Sequence, residues 1–419
     1  MPGHKGIGEV EKYDLTEISG ADSLYEASGI IKESEDNASA LFGSYTLYST
    51  EGSSLAIRAM LYLALLTRRT SERPIVIAGR NAHKVFLTAS ALLDFDVEWL
   101  YGGSSYLACT VTPDEVEQKI LASGTRPLAV YLTSPDYLGN VADVGAIAEV
   151  CKRHGVLLLV DNAHGAYLAF TEPSLHPIAL GADMCADSAH KTLPCLTGAA
   201  YLHLADTIPN SVKSRAKSAL ALFGSTSPSY LILASLDKAN AYLSNGYGAR
   251  LADLTRALRD LRQRLGSHGY ETVGNEPMKL TLMPKSYGYT GYELADILAD
   301  AGIVPEFSDP DFLVLMPTTS TTVGELERLE GVLLSVPRRN AIDTAPPAVF
   351  KAERAMTPRE AILSPAERIS VDEAEGRILA DVTVGCPPAV PIVVSGEAIT
   401  KEIISVFKYY GVSDCVVVK

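Results

Sequence analysis

The sequence predicts an α/β chain whose largest part is a doubly wound domain with a mainly parallel sheet. Three observations carry that expectation. Short apolar runs recur as PIVIA (74–78), LAVYL (128–132), VLLLV (156–160) and AAYLHL (199–204), and unbroken apolar runs of this length suit strands covered on both faces. Between them lie stretches with helical spacing, among them 54–69, rich in Ala, Leu and Met, and 141–154 (VADVGAIAEVCKRH). Polar clusters then follow the runs: GRNAH (79–83), TSP (133–135) and DNAHG (161–165). In sheets of this class ligands gather beyond the carboxyl ends of the strands, so these clusters form a search list for a site.

The first run follows the helical stretch at 54–69, and the last leads towards a charged, Leu- and Ala-rich stretch at 238–268 that reads as one long helix. Residues 278–337 mix strand-like KLTLMP and FLVLMP with helical GYELADILADAG and TVGELERLEGVLLSV, which suits a small α+β domain. A Pro- and Ala-containing link at 340–349 leads to ILSPAERISVDEAEGRILA, CPPAVPIVVSGE and a closing helix and strand. The expected divisions are an N-terminal segment (1–40), a large domain (41–268), a small α+β domain (269–340) and a C-terminal domain (341–419).

Bulk properties narrow the function. Across 419 residues the formal charge is −14, which disfavours a nucleic-acid surface because phosphate backbones reward clustered Lys and Arg. An acidic surface keeps a protein soluble and can also concentrate a cationic substrate. No apolar run approaches the roughly 20 residues needed to span a bilayer, and MPGHKGIGEVEKYD has no apolar core like that of a signal peptide. The six cysteines, Cys109, Cys151, Cys185, Cys195, Cys386 and Cys415, form no CxxC pair, so the expectation is reduced thiols in a cytoplasmic protein without a metal site.

The densest chemical signal is DSAHKT (187–192). A pyridoxal-phosphate enzyme needs an amine such as Lys191 to hold the cofactor as a Schiff base, and a neighbouring hydroxyl or imidazole can bind its phosphate. An exposed loop lysine is the plain alternative. Asp161, directly after four buried aliphatics, needs a partner for its charge, and a pyridinium nitrogen would supply one. Its alternatives are an N-cap, or a metal site shared with His164. Gly52, Ser53 and Ser54 open a helix and offer amides and hydroxyls to a phosphate, though Ser is also a common cap. His83, at the mouth of another strand, is placed either to stack on a planar ring or to make structural hydrogen bonds.

Taken in order, PGHKG (2–6), DLTEISGADSLY (14–25), LFGSYTLYSTEGSS (41–54), RNAHK (80–84), TSPDYLGNVAD (133–143), DNAHGAYLAF (161–170) and DSAHKTLPCLTGAAYLH (187–203) resemble the bacterial ornithine/lysine/arginine decarboxylases. The likeness covers most of 2–205 and continues more loosely into the C-terminal motifs. It implies the aspartate-aminotransferase-like fold of pyridoxal-phosphate enzymes and decarboxylation of a basic amino acid in polyamine metabolism. It also implies a homodimer or larger homo-oligomer with sites at the subunit interface. By position, Lys191 would bind the cofactor covalently, Asp161 would pair with the pyridine nitrogen, and His83 and Ala163 would lie on opposite ring faces. Ser53, Ser54, Ser188 and His190 would surround the phosphate, with Thr133, Tyr137 and His164 in motifs of less defined role.

The sequence also departs from the family pattern. Relatives usually carry chain before PGHKG, so a truncated start is an expectation. The wing domain of the large inducible members is missing, which argues against their decameric ring. Asn162 stands where many relatives have Glu. The residue that returns a proton to Cα is not identified; Lys191, His83 and Cys386 are the candidates. Another pyridoxal-phosphate enzyme, such as an aminotransferase or C–S lyase, is the alternative activity, although no arginine clamp for an α-carboxylate is evident. A non-catalytic relative is the third reading, and it would be expected to lack Lys191 or Asp161.

Overall fold

The computed structural model of the chain describes residues 3–68, 72–103, 106, 108–385 and 390–419, and the backbone alone at 386. Pro2 of the first motif, and residues 387–389 of CPPAVPIVVSGE, lie outside the described residues.

The strands of the main sheet are β1 (Tyr45–Ser49), β2 (Ile75–Gly79), β3 (Asp96–Leu100), β4 (Ala129–Thr133), β5 (Leu157–Asp161), β6 (Met184–Asp187) and β7 (Ala200–Leu204). They lie in the order β1-β7-β6-β5-β4-β2-β3. From β6 across to β3 every pairing is parallel, while β7 runs antiparallel to both its neighbours. The sheet is therefore mainly parallel, but AAYLHL belongs to its antiparallel strand. An apolar run reports coverage on both faces, which parallel and antiparallel strands share here, so the run did not reveal direction.

Both faces are covered. Val76, Ala78, Tyr131 and Leu159 pack on one side with helices α2 (Gly52–Thr67) and α3 (Lys84–Leu93). Ile77, Val130, Leu158 and Val160 pack on the other with α4 (Pro113–Ala122) and α5 (Val144–His154). Alternate residues of each strand thus serve opposite cores. Register aligns the strand ends: Thr133 is paired with Asp161 and Asp161 with Ala186. The chain leaves β2 towards β3 on one side and β4 towards β5 on the other, so the topological switch lies between β2 and β4.

The stretch at 238–268 is not one helix. Tyr230–Ser244 and Tyr247–His268 are separate, broken at Asn245-Gly246, where Gly246 takes a φ of 68°. Glycine reaches that left-handed conformation without the clash a Cβ would bring. A second sheet, wholly antiparallel, contains β8 (Glu271–Val273), β9 (Leu280–Met283), β10 (Phe307–Ser308) and β11 (Leu313–Leu315) in the order β10-β11-β9-β8. Helices Gly291–Asp300 and Val323–Ser335 accompany it, each opened by a Thr–Glu capping box. Towards the C-terminus β12 (Ala366–Ser370) pairs with β15 (Asp414–Val418), and β13 (Thr383–Cys386) with β14 (Val390–Val394). One apolar cluster joins Phe307 and Val314 of the second sheet to Ile392, Ile403 and Phe407 of this last part.

A buried ion pair ties the C-terminal part to the main sheet. Arg80, directly after β2, donates from Nη2 to Glu397 Oε2 at 2.8 Å and to the Ile392 carbonyl at 3.2 Å. The two side chains are 4% and 3% exposed, so neither charge has water to fall back on. Removing one partner of such a pair typically costs about 3–5 kcal/mol, because the other charge is left buried and uncompensated. Glu397→Ala should therefore lower unfolding stability by that order in urea titrations. Replacing both residues by Leu or Met should recover part of the loss.

Candidate active site

The strand register brings the polar clusters to one edge. Gly52, Ser53 and Ser54 at the start of α2, His83 before α3, Asp161 at the end of β5, Ala163 and His164 just beyond it, and Ser188, His190 and Lys191 after β6 all line one cavity of about 330 Å³. Thr133 and Tyr137 line it too. Asn81, Glu306 and Val390 complete the wall and were not singled out from sequence. Asn81 lies inside RNAHK, where a signal existed. Glu306 is one of 50 acidic residues and Val390 is one aliphatic among many, so only folding marks them.

Asp161 is buried. One carboxylate oxygen accepts from Tyr131 Oη at 3.1 Å and the other from the Ala163 amide at 3.2 Å. Burial raises its pKa and the Lys191 charge opposes the rise. Among the described residues Asp161 makes no ion pair, so a buried acid faces the cavity with its charge unmatched. Lys191 lies in the one-turn helix Ala189–Thr192. The residue keeps accessible surface along the open cavity, yet the protein around Nζ lowers its pKa, against the pull of Asp161 and Glu306. That favours the neutral, nucleophilic amine.

His83 and His164 are held in neutral forms. His83 caps α3, its Nδ1 accepting from the Val85 amide at 3.2 Å, so the neutral ring carries its proton on Nε2. Burial, reinforced by the charges of Lys191, Lys84 and Arg58, lowers its pKa to about 4. His164 Nε2 lies 3.1 Å from Lys191 Nζ, and its Nδ1 has no protein partner. Burial, then the charges of Lys279 and Lys191, keep it uncharged. His190 Nδ1 meets the Ala199 carbonyl at 2.9 Å. Ser188 donates to Ser53 Oγ at 2.7 Å, bringing the two phosphate-candidate loops together. Gly165 closes the DNAHG turn, where a Cβ would stand 1.9 Å from Asn162 Oδ1, and only glycine fits there.

Behind this wall lies a second buried carboxylate that the sequence reading treated only as the start of DSAHKT. Asp187 Oδ2 accepts from His176 and His203, both at 3.1 Å; Oδ1 accepts from Asn162 Nδ2 at 2.8 Å and from the Cys185 thiol at 3.4 Å. His203 is fixed in turn by Thr46 Oγ1 at 2.9 Å. Among the described residues His176, Asp187 and His203 are the one group of metal-type ligands, and Asp161 with His164 forms none. Four donors already meet the Asp187 carboxylate, which accounts for the cluster as a hydrogen-bonded support. The side chain of Cys386, a proton-donor candidate, lies outside the described residues.

Comparison with known proteins identifies the fold and the family. A serine palmitoyltransferase from Sphingomonas wittichii superposes with a TM-score of 0.58 at 15% identity, over 75% of this chain and 78% of that one. The Francisella novicida lysine decarboxylase LdcF superposes with 0.81 at 18% identity, over 98% of this chain and 75% of that one. The fold is thus the aspartate-aminotransferase-like fold of pyridoxal-phosphate enzymes. The family described as Orn/Lys/Arg decarboxylase, major domain, matches residues 7–273, and its C-terminal domain matches 339–415. The chain belongs to the Orn/Lys/Arg decarboxylase family and is a pyridoxal-phosphate-dependent decarboxylase of a basic amino acid. An arginine decarboxylase of Bacillus subtilis is 31% identical over 97% of this chain and 89% of its own length. The lysine decarboxylase LdcA of Pseudomonas aeruginosa is 24% identical over 92% and 67%.

The cavity fits the cofactor on its own chemistry: a buried acid without a counter-cation, an amine with a lowered pKa, and paired serines at a helix start. The Asp187 support yields a pH prediction. Burial alone would raise its pKa, but the two imidazoles hold it far below the usual range. Its contribution is complete above the ordinary carboxylate pKa of about 3.9 and is lost as pH falls below that. Urea titrations should show the wild type losing stability between about pH 4 and pH 2, and Asp187→Asn should be less stable at pH 7 with that acid limb flattened.

Proposed function

We propose that this decarboxylase acts on arginine, releasing agmatine and carbon dioxide, with Lys191 and Asp161 at the centre of the reaction. The observation that carries the residue assignment is the meeting of a buried, unpaired carboxylate and an amine whose pKa burial lowers in one cavity. Arginine is favoured over lysine because the arginine decarboxylase relative is the more similar and covers more of both chains.

When bound, pyridoxal phosphate supplies an aldehyde carbon that an amine can attack and a protonated ring that accepts the electron pair left as carbon dioxide departs. Lys191 Nζ is the amine that would carry the cofactor between turnovers, and the substrate's α-amine would displace it. Asp161, desolvated and fixed by Tyr131, would hold a proton on the ring nitrogen, where a charge-assisted hydrogen bond in a dry site is strongest. Ser53, Ser54, Ser188, His190 and the amides that begin with Gly52 would bind phosphate at the positive end of α2. His83 and Ala163 would wall the ring, the imidazole neutral and so free of repulsion with a cationic ring. His164 Nε2 would orient Lys191 Nζ. Lys191 and His83 are the described groups able to return a proton to Cα.

On the same reading the chain is organised as 1–40, 41–268, 269–340 and 341–419; the second and third ranges each contain one sheet and the last contains two two-stranded sheets. A homodimer is supported by the apolar side chains that the N-terminal segment leaves exposed, Ile7, Val10, Tyr13, Leu15 and Ile18. A cytoplasmic enzyme feeding polyamine supply accords with the cationic product. Among the described residues no helix is long and apolar enough to cross a membrane.

Carbon dioxide release from arginine, lysine and ornithine in parallel tests the substrate; the largest kcat/KM on arginine is expected, and a tenfold preference for lysine would overturn the choice. Borohydride should fix the cofactor to Lys191, and Lys191→Ala should abolish turnover. Asp161→Asn should keep cofactor bound yet lose at least about a hundredfold in kcat, the scale of one misplaced electrostatic group. Normal turnover in that variant would end its proposed role. Light scattering of the purified holoenzyme should give twice the chain mass or a multiple of it.

A further inference from the structure

Behind the cavity wall stands a cation that the cofactor reading does not use. Lys279, the residue before β9, is buried. Its Nζ donates to the Asp136 carbonyl at 3.0 Å and lies 5.5 Å from the centroid of the Tyr137 ring. The backbone around it is fixed. The Lys279 amide donates to the Glu276 carboxylate, and its carbonyl accepts from the Arg262 guanidinium. Gly139, at a φ of 86°, lets the loop after β4 close on the lysine, since a Cβ there would stand 3.3 Å from Lys279 Cβ.

Glu276, Asp136 and Glu306 surround this ammonium and favour its charge, against the burial that disfavours it. Its Nζ nevertheless bonds a carbonyl and makes no ion pair within 4 Å among the described residues. Burial pushes Glu276 up to about 7 and raises Asp136 as well, so neither acid fully matches the cation. The charge stands at the end of a row of contacts that leads into the site. Tyr137 meets His164 edge-on at 5.3 Å, and His164 Nε2 lies 3.1 Å from Lys191 Nζ. After burial itself, Lys279 is the strongest influence keeping the His164 ring uncharged, ahead of Lys191, His83 and His190. A neutral ring with its proton on Nδ1 leaves Nε2 free to accept from the Lys191 amine, whereas a charged ring would aim an N–H at it. Asp161 and Glu306 both favour a proton on Lys191. Lys279, whose charge repels that of Lys191, works against them.

We propose that Lys279 is a positioning residue: its buried ammonium keeps His164 an acceptor, so that Lys191 is presented to the cofactor as a free amine. This rests on Lys191 being the cofactor amine and adds what keeps it ready. The main sheet supplies the amine, and the second sheet supplies the charge that sets its state.

The test compares the wild type with Lys279→Met, which removes the charge, and Lys279→Arg, which keeps it. Apoenzyme is mixed with pyridoxal phosphate, and absorbance follows capture of the cofactor across the neutral to alkaline range. At about pH 7 capture should slow about three- to tenfold in Lys279→Met, the scale of one charge acting through a protein interior. The rate should recover at higher pH, where the amine is neutral in both proteins, and Lys279→Arg should restore most of it at neutral pH. Lys279→Met combined with Glu276→Gln strands no buried acid, guards against loss of the fold and should show the same slowing. Nitrogen NMR of the imidazoles gives a readout independent of the cofactor. With the His164 signal assigned by its loss in His164→Asn, that ring should take up a proton at higher pH in Lys279→Met than in the wild type. Capture that is equally slow at every pH marks a merely structural role and overturns the proposal, as does a His164 titration that Lys279→Met leaves unmoved. If the cofactor is trapped away from Lys191 while the His164 titration still moves, the cofactor-amine reading fails and the link from Lys279 to His164 stands.

Discussion

The site depends on a carboxylate and an amine being brought level at the edge of a sheet whose central parallel strands are filled with apolar side chains. Asp161 ends β5 and Lys191 lies four residues beyond the end of β6, and the two strands are parallel neighbours in fixed register. A shift of one residue along β5 would turn Asp161 to the opposite face. The apolar residues of β5 resist that shift, since Leu158 and Val160 serve one core and Leu159 the other. Packing that looks merely structural is therefore what keeps an otherwise costly buried acid aimed into the cavity. The loss of hydration that burial imposes on Asp161 is the reason a cationic ring would be held there tightly.

The other walls are supplied from distant parts of the chain. Glu306 arrives with the second sheet and Val390 with β14, and the ion pair of Arg80 with Glu397 fixes β14 close to the loop that carries Asn81 and His83. Arg80 leads directly into RNAHK, so the residue that clamps the C-terminal part and the residue proposed to cover the ring are three positions apart. The C-terminal part is thereby coupled to the cofactor's surroundings through one short loop. Its core is shared with Phe307, the neighbour of Glu306, which ties the second sheet into the same arrangement.

Much of this was legible in the sequence, for identifiable reasons. Buried strands announce themselves as aliphatic runs, and the polar residue that ends such a run is conspicuous; Thr133 and Asp161 were found in that way, each as the last residue of its strand. β1, β3 and β6 were not read, because YTLYS, DVEWL and MCAD mix polar and apolar residues and no run forms. Strand direction was not legible for β7, since coverage and not polarity of the chain sets composition. The helix break at Asn245-Gly246 carried a local signal that the surrounding Leu and Ala pattern outweighed. Glu306 and the histidine partners of Asp187 were not singled out: their meaning comes from contacts that only folding makes, such as Tyr137 with Glu306 and Thr46 with His203.

Two acids at the ends of adjacent strands, Asp161 and Asp187, have opposite fates, and the difference lies in their donors. Asp187 is met by two imidazoles, an amide and a thiol, so its charge is compensated inside the protein and offers nothing outward. Asp161 has a phenol and one backbone amide, leaving charge for a ligand to answer. Asn162 lies between them and makes the division possible. Its amide nitrogen donates to Asp187 at 2.8 Å, whereas a carboxylate at this position would set a third acid beside Asp187, whose charge already raises the pKa of Asp161. A neutral donor at 162 adds a hydrogen bond to Asp187 without adding a charge beside Asp161. The departure at Asn162 thus gives Asp187 a donor and leaves the two hydrogen bonds of Asp161 to Tyr131 and Ala163 in place.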